Sequence, residues 1–304
     1  MIIDALSRLS RLSRQSRLSS FNIKATITNN NIKELINAYC NNKRSLPLIL
    51  KYVNINDWDV SNVTNMEGIF NECEEFNESL SKWNVSNVTS MEKMFYDCYK
   101  FNQPLNGWKV SNVTSMERMF FGCKEFNQPL NSWNVSNVTS MQLMFYDCYK
   151  FNQPLDSWVV TSVTSMESMF FGCKEFNQPL NSWNVSNVTS MQLMFYDCEE
   201  FNQPLDSWVV TSVTSMERMF FGCKEFNQPL NSWNVSNVTS MQAMFYDCYK
   251  FNQPLNDWNI SETTDIKWFA ENAPLFNHAS LDKKKIGGRK SRRSRKSRRS
   301  RKKL

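Results

Sequence analysis

From position 76 to position 251 a phenylalanine stands at every twenty-fifth residue: Phe76, Phe101, Phe126, Phe151, Phe176, Phe201, Phe226 and Phe251. A tryptophan register runs at the same interval from Trp58 to Trp258, and a cysteine register from Cys73 to Cys248. One unit, residues 126–150, reads FNQPLNSWNVSNVTSMQLMFYDCYK. A fixed period between 20 and 50 residues means stacked coils, each touching only its neighbours. The length of 304 residues would by itself suggest two domains; the period replaces them with one repetitive body.

Within that unit the apolar residues are Phe126, Leu130, Trp133, Val135, Val138, Met141, Met144, Phe145 and Cys148. Trp133 and Val135 alternate with polar residues, as in a short strand, and Pro129 suits its entrance. The wider steps after Val138 predict a second extended piece and a helical turn over Met141–Cys148, capped by Ser140. The expected fold is an α/β repeat, a solenoid of about nine coils with short parallel strands and one helical turn per coil. At a sheet-like spacing that makes a rod roughly 40 Å long.

A period of 50 lies over the period of 25, because MFYDC (Cys98, Cys148, Cys198, Cys248) alternates with MFFGC (Cys123, Cys173, Cys223). The last position of each coil is Glu75, Lys100, Glu125, Lys150, Glu175, Glu200, Glu225 and Lys250. In-register stacking sets most of these charges opposite each other, and the run Glu175, Glu200, Glu225 breaks the pattern. Asn31–Cys40 reads as an amphipathic helix and Leu46–Val53 as a second, capping the first coil. Trp258 opens a degenerate last coil, with Thr263, Ile266 and Ala273 in the usual Val, Met and Cys places.

Composition narrows the chemistry. Seven glycines form no phosphate-binding loop, and one histidine, His278, makes neither a catalytic set nor a His-rich metal site. No apolar run approaches the roughly 20 residues of a transmembrane helix. No catalytic residue, metal ligand or cofactor is expected. The net charge of +6 conceals three regions. Residues 283–304 hold 14 Lys/Arg and no acid, and residues 1–20 hold Arg8, Arg11, Arg14 and Arg17 against Asp4. Between them lie 17 basic and 28 acidic residues, a net charge of −11. The expected organisation is a disordered or amphipathic arm (1–20), a helical cap (21–57), the repeats (58–276) and a disordered basic tail (277–304).

The tail is the expected polyanion-binding or nuclear-import segment: Lys283, Lys284, Lys285, Arg289, Lys290, Arg292, Arg293, Arg295, Lys296, Arg298, Arg299, Arg301, Lys302 and Lys303. Ser291, Ser294, Ser297 and Ser300 stand among these cations, where each phosphate would remove about 1.5–2 charges. Tyr96, Phe121, Tyr146, Phe171, Tyr196, Phe221 and Tyr246 form a candidate interaction stripe, a stacking platform for bases or peptides or a semi-buried packing row. Three residues earlier, Lys93, Arg118, Leu143, Ser168, Leu193, Arg218 and Ala243 vary so widely that the position is expected to face solvent. The cysteines read as buried small hydrophobes, Cys40 as a helix core residue, and the Asn77–Asn252 register as a ladder satisfying backbone groups. Asn87, Asn112, Asn137, Asn187 and Asn237 head Asn-Val-Thr glycosylation sequons, for which a structural role is expected.

The string WNVSNVTSMxxMFxxCxxFNQPL resembles the 25-residue repeat of the BspA-like leucine-rich-repeat surface protein family, found in mycoplasma-type surface lipoproteins. The stretch IKELINAYCNN…LPLILKYVNINDW looks like the lead-in of such proteins from large DNA viruses and protists. The resemblance implies a leucine-rich-repeat-like solenoid with binding or adhesive roles and no enzymatic activity. No signal peptide or lipobox cysteine is read near the start, so an intracellular, nuclear or virion-borne monomer is expected. Its partners would be a protein along the repeats and nucleic acid or another polyanion at the tail. The alternative is an exported adhesin.

Overall fold

The computed structural model describes residues 26–41, 43–51 and 53–281. The N-terminal arm and the basic cluster from Lys283 onward, with the roles expected of them, lie outside the described residues.

The lead-in begins with α1, Ile32–Asn41. The Asn31 side chain starts it by accepting the Thr28 N–H at 2.9 Å. Ile32, Leu35, Ile36 and Tyr39 recur at helical spacing and are buried, which fixes the face turned to the first coil. The second helix is shorter than expected: α2 spans Leu48–Lys51, after a 3-10 turn at Lys43–Ser45. Pro47, with no N–H, stands just ahead of α2, and its carbonyl takes the Lys51 N–H at 3.1 Å.

The repeats overturn the expected α/β leucine-rich-repeat-like architecture. Among the described residues no strand forms, and residues 58–276 contain no helix. Each coil is a chain of turns that touches the next through one isolated parallel bridge, from Asn65–Ser90 to Ser240–Asp265. The reason shows in residues 116–123. Met116, Arg118, Phe120 and Gly122 donate to Ser140, Gln142, Met144 and Tyr146 of the next coil at 2.7–3.2 Å. The residues between them donate backwards within the coil, Met119 to Met116, Phe121 to Arg118 and Cys123 to Phe120. Every second N–H therefore points along the stack. A helix would turn all of them inward, and a strand would make no three-residue turns. The apolar steps of three seen in the sequence belong to these turns.

The Trp-x-Val segment likewise alternates buried and exposed side chains without pairing as a strand; Trp133 N–H and Val138 N–H close turns onto Leu130 and Val135. The nine side chains Phe126, Leu130, Trp133, Val135, Val138, Met141, Met144, Phe145 and Cys148 are at most 3% exposed, while Leu143 is half-buried. None could be covered by its own coil, so burial belongs to the stack. The buried polar atoms are satisfied the same way. Each tryptophan from Trp83 to Trp258 donates its Nε1–H to a carbonyl 28 residues earlier, as Trp133 does to Leu105 at 3.0 Å. Trp58 has no coil beneath it, and its buried Nε1 lacks a partner among the described residues.

The Asn register is the expected ladder: each Asn Oδ1 accepts the backbone N–H of the Asn one coil on, from Asn77–Asn102 to Asn227–Asn252, at 2.9–3.0 Å. Both ends of the stack are closed. From Thr89 to Thr239, each threonine N–H in the sequence Asn/Ser-Val-Thr reaches the corresponding Thr carbonyl one coil below. Thr64 has no such coil and uses the Asn29 Oδ1 instead, at 2.9 Å. In the last coil Lys267, Phe269 and Glu271 turn their N–H groups onto Asp265, Ile266 and Trp268, leaving fewer free donors on that edge.

Candidate functional site

The outward side chains also stand in columns. The expected stripe is one of them: Tyr96, Phe121, Tyr146, Phe171, Tyr196, Phe221 and Tyr246 stack with centroids 4.2–4.7 Å apart and planes within 7°. The ring faces cover one another, and what remains exposed is a row of rims and hydroxyls. Burial pushes the Tyr146 and Tyr196 hydroxyls above the usual phenol range. A base inserted between these rings would have to separate two coils.

Equivalent rings lie farther apart elsewhere: 5.3–5.7 Å in the Phe70–Phe245 column, 5.9–6.0 Å in the Phe76–Phe251 column and 6.3–6.5 Å between stacked tryptophans. The aromatic column is the most closely spaced of these ring columns.

Beside it runs the Asp/Gly alternation that produces the 50-residue period. Asp97, Asp147, Asp197 and Asp247 and the glycines Gly122, Gly172 and Gly222 all have positive φ. A Cβ on Gly122, Gly172 or Gly222 would overlap the Oδ1 of Asp97, Asp147 or Asp197, one coil earlier. Aspartate tolerates the left-handed conformation, and glycine leaves room for the carboxylate leaning over it. Burial raises the Asp97, Asp147 and Asp197 pKa above the usual carboxylate range, while Lys124, Lys174 and Lys224 act against that rise.

The variable position, expected from its diversity to face solvent, does not do so freely. Lys93, Arg118, Leu143, Leu193 and Arg218 are half-buried, Ser168 and Ala243 are buried, and all seven have φ of 51–57°. Their N–H groups donate to the next coil, so the position answers to its backbone more than to its side chain.

Two charged columns complete this edge. Lys150 pairs with Glu125 at 2.6 Å and Lys250 with Glu225 at 3.3 Å, as in-register stacking requires. The second column, Tyr99, Lys124, Tyr149, Lys174, Glu199, Lys224 and Tyr249, was not singled out in the sequence, although the alternation of Tyr-Lys with Lys-Glu pairs was its signal. Lys124 lies 4.2 Å above the Tyr99 ring. Glu199 replaces a tyrosine and binds both Lys174 and Lys224, which holds its carboxyl below the usual range.

The Asn/Ser-Val-Thr segments carry no charge. Asn87, Asn112, Asn137, Asn187 and Asn237 are exposed, yet each Nδ2 donates to a carbonyl of the coil below at 2.7–2.9 Å. Thr89, Thr114, Thr139, Thr189, Thr214 and Thr239 add their hydroxyls to the Thr carbonyls below them.

The seven cysteines from Cys98 to Cys248 are buried, and each thiol donates to a phenylalanine carbonyl 28 residues earlier at 2.9–3.0 Å. Burial holds these thiols protonated. The expectation for Cys40 and Cys73 is corrected: they form a disulfide, with Cα atoms 5.8 Å apart, that ties α1 to the first coil. Cys73 is the bottom rung, with no coil beneath it to supply a phenylalanine carbonyl. Among the described residues no helix is long and apolar enough to cross a membrane, and no cluster of metal-ligating residues forms.

A family model described as "Mycoplasma protein of unknown function, DUF285" matches three overlapping stretches, residues 33–158, 130–223 and 180–284. Together they run from the second residue of α1 through the last coil. No curated protein matches the chain.

Proposed function

We propose, on the premise that the chain belongs to the Mycoplasma family of unknown function DUF285, that it is a non-enzymatic repeat scaffold. It offers the aromatic edge of its stack to a protein partner and its basic tail to nucleic acid or another polyanion. The observation that carries this reading is the concentration of aromatic rims and alternating charges on one edge, a surface that a repeat protein can offer to a partner along its length. The buried, protonated thiols support the absence of a nucleophile. The body between residues 21 and 282 has a net charge of −11, so a polyanion is left to the tail. This reading sets the protein inside the cell, in the nucleus or a virion.

The test is a salt titration of fluorescence anisotropy on a labelled duplex, with the intact chain and a chain ending at Leu281. If about 6–10 of the cations neutralise phosphates, affinity should fall roughly 10³–10⁵-fold between 50 and 200 mM salt. It should be lost on truncation and be indifferent to sequence. Binding that survives truncation would move the polyanion site onto the repeats and overturn this division of labour.

One observation favours a second reading, the exported adhesin. The Cys40–Cys73 disulfide suits an oxidising compartment. Quantifying free thiols in chain recovered from its native cell separates the two: an intracellular scaffold retains nine, an exported protein seven.

A further inference from the structure

The disulfide lies at the edge of the packed interior, with Cys73 buried in it and Cys40 packed against it. Cys40 and Cys73 both line an open cleft of about 430 Å³ between α1 and the first coil. Four carboxylates, Glu72, Glu74, Glu75 and Glu78, line the same cleft, and no lysine or arginine does. Glu78 is engaged with the Tyr39 hydroxyl, whose pKa it raises together with burial; the other three are exposed. Lys33 and Lys93 belong to a separate cleft that Cys73 reaches and Cys40 does not. Cys73 is only 5% exposed, whereas Cys40 is half-buried, so a reagent meets the Cys40 sulfur first.

We propose that Cys40–Cys73 is a thiol-exchange site selective for small cationic aminothiols over anionic thiols. The aminothiol is the reductant. Its thiolate attacks the Cys40 Sγ, the Cys40–Cys73 bond breaks, and the electron pair leaves on the Cys73 sulfur, which takes a proton from water. A second aminothiol then attacks the mixed disulfide on Cys40. Two protein thiols and one aminothiol disulfide result. The carboxylates attract the ammonium group of such a reagent and repel a carboxylate-bearing one, and because they are exposed, salt must screen the preference. Reduction unfastens α1 covalently while Tyr39 stays packed edge-on against Trp58 and Phe76. The inference rests on the oxidised bond, which an oxidising compartment supplies and the intracellular reading leaves reduced.

The experiment uses the full oxidised chain and compares its reduction by cysteamine and by 3-mercaptopropionate at matched thiolate concentration. Rates are normalised to a small uncharged disulfide to remove differences in thiol basicity. The expected preference for cysteamine is about tenfold at low salt, collapsing toward unity near 1 M salt. Alkylation of the reduced native chain should label Cys40 and Cys73, with the other seven cysteines reacting only in denaturant. The variant E72Q/E74Q/E75Q should lose most of the preference; should it fail to fold, the salt dependence of the unaltered chain decides. A normalised ratio near one at low salt, a preference that ignores salt, nine free thiols before reduction, or ladder cysteines labelling alongside Cys40 would overturn the proposal.

Discussion

Two columns of the same coil keep different periods. The threonine column, Thr89 to Thr239, repeats every 25 residues because each Thr N–H reaches the carbonyl below without the side chains occupying one another's space. The aromatic edge repeats every 50, because an aspartate leaning along the stack lies where the next coil's Cβ would be. Where neighbours only hydrogen-bond, one unit can follow itself; where they interlock, two kinds of unit must alternate.

The interior shared by both edges should give the largest response. Replacing Trp133 with Ala should cost about 3–5 kcal/mol, through the cavity and the unanswered Leu105 carbonyl. Trp183→Ala should cost the same, since both sit in equivalent coils. Denaturant titrations giving less than about 1 kcal/mol at either site would remove these residues from the core.

Deletions separate the two periods. Removing residues 151–200 keeps Asp147 beneath a glycine, Gly222, and should leave a shorter folded stack. Removing 151–175 puts Asp147 beneath Asp197 and should cost roughly 1–3 kcal/mol more, from backbone strain and paired carboxylates. Thermal unfolding showing equal stability of the two deletions would break the interlock argument.

Gly172→Ala probes the same contact at one atom. Forcing a Cβ into a left-handed residue costs about 1–2 kcal/mol before the collision with Asp147 is counted. Adding Asp147→Gly should recover the collision component but not the backbone component, so a double-mutant cycle of chemical denaturation should show coupling.

Asp147→Asn should have the smallest effect, and its sign depends on pH. Burial raises the Asp147 pKa in the folded chain, so the folded state holds its proton more tightly than the unfolded state. Ionisation at neutral pH therefore disfavours folding, and the penalty disappears as pH falls through the folded value toward the unfolded one. Asparagine tolerates positive φ and stands at the equivalent Asn272. The variant should be slightly more stable near pH 7 and equal to the parent below pH 4 or thereabouts. Higher stability at both pH values would point to a cause other than charge.

Much of this was legible in the sequence. The register of Phe, Trp and Cys specified stacking, and Asn77–Asn252 announced the ladder because a polar residue invariant in every coil needs the same partner in every coil. The helical turn over Met141–Cys148 was misread because steps of three suit a helix and a run of turns equally well. The Cys40–Cys73 bond was misread because the ladder made every cysteine look alike, although Cys73 alone has no coil beneath it.

The sequence by itself determined which residues are equivalent, which side chains must be buried, and that charge is partitioned between an acidic body and basic ends, since identity at a fixed interval needs no coordinates. Only the tertiary structure decided what the equivalent residues do to one another. Whether an N–H points along the stack or inward, whether a carboxylate reaches the next backbone, and which rings cover one another all depend on dihedral angles and on the distance between coils. A hydrophobic pattern constrains burial; it does not constrain the direction of a peptide plane.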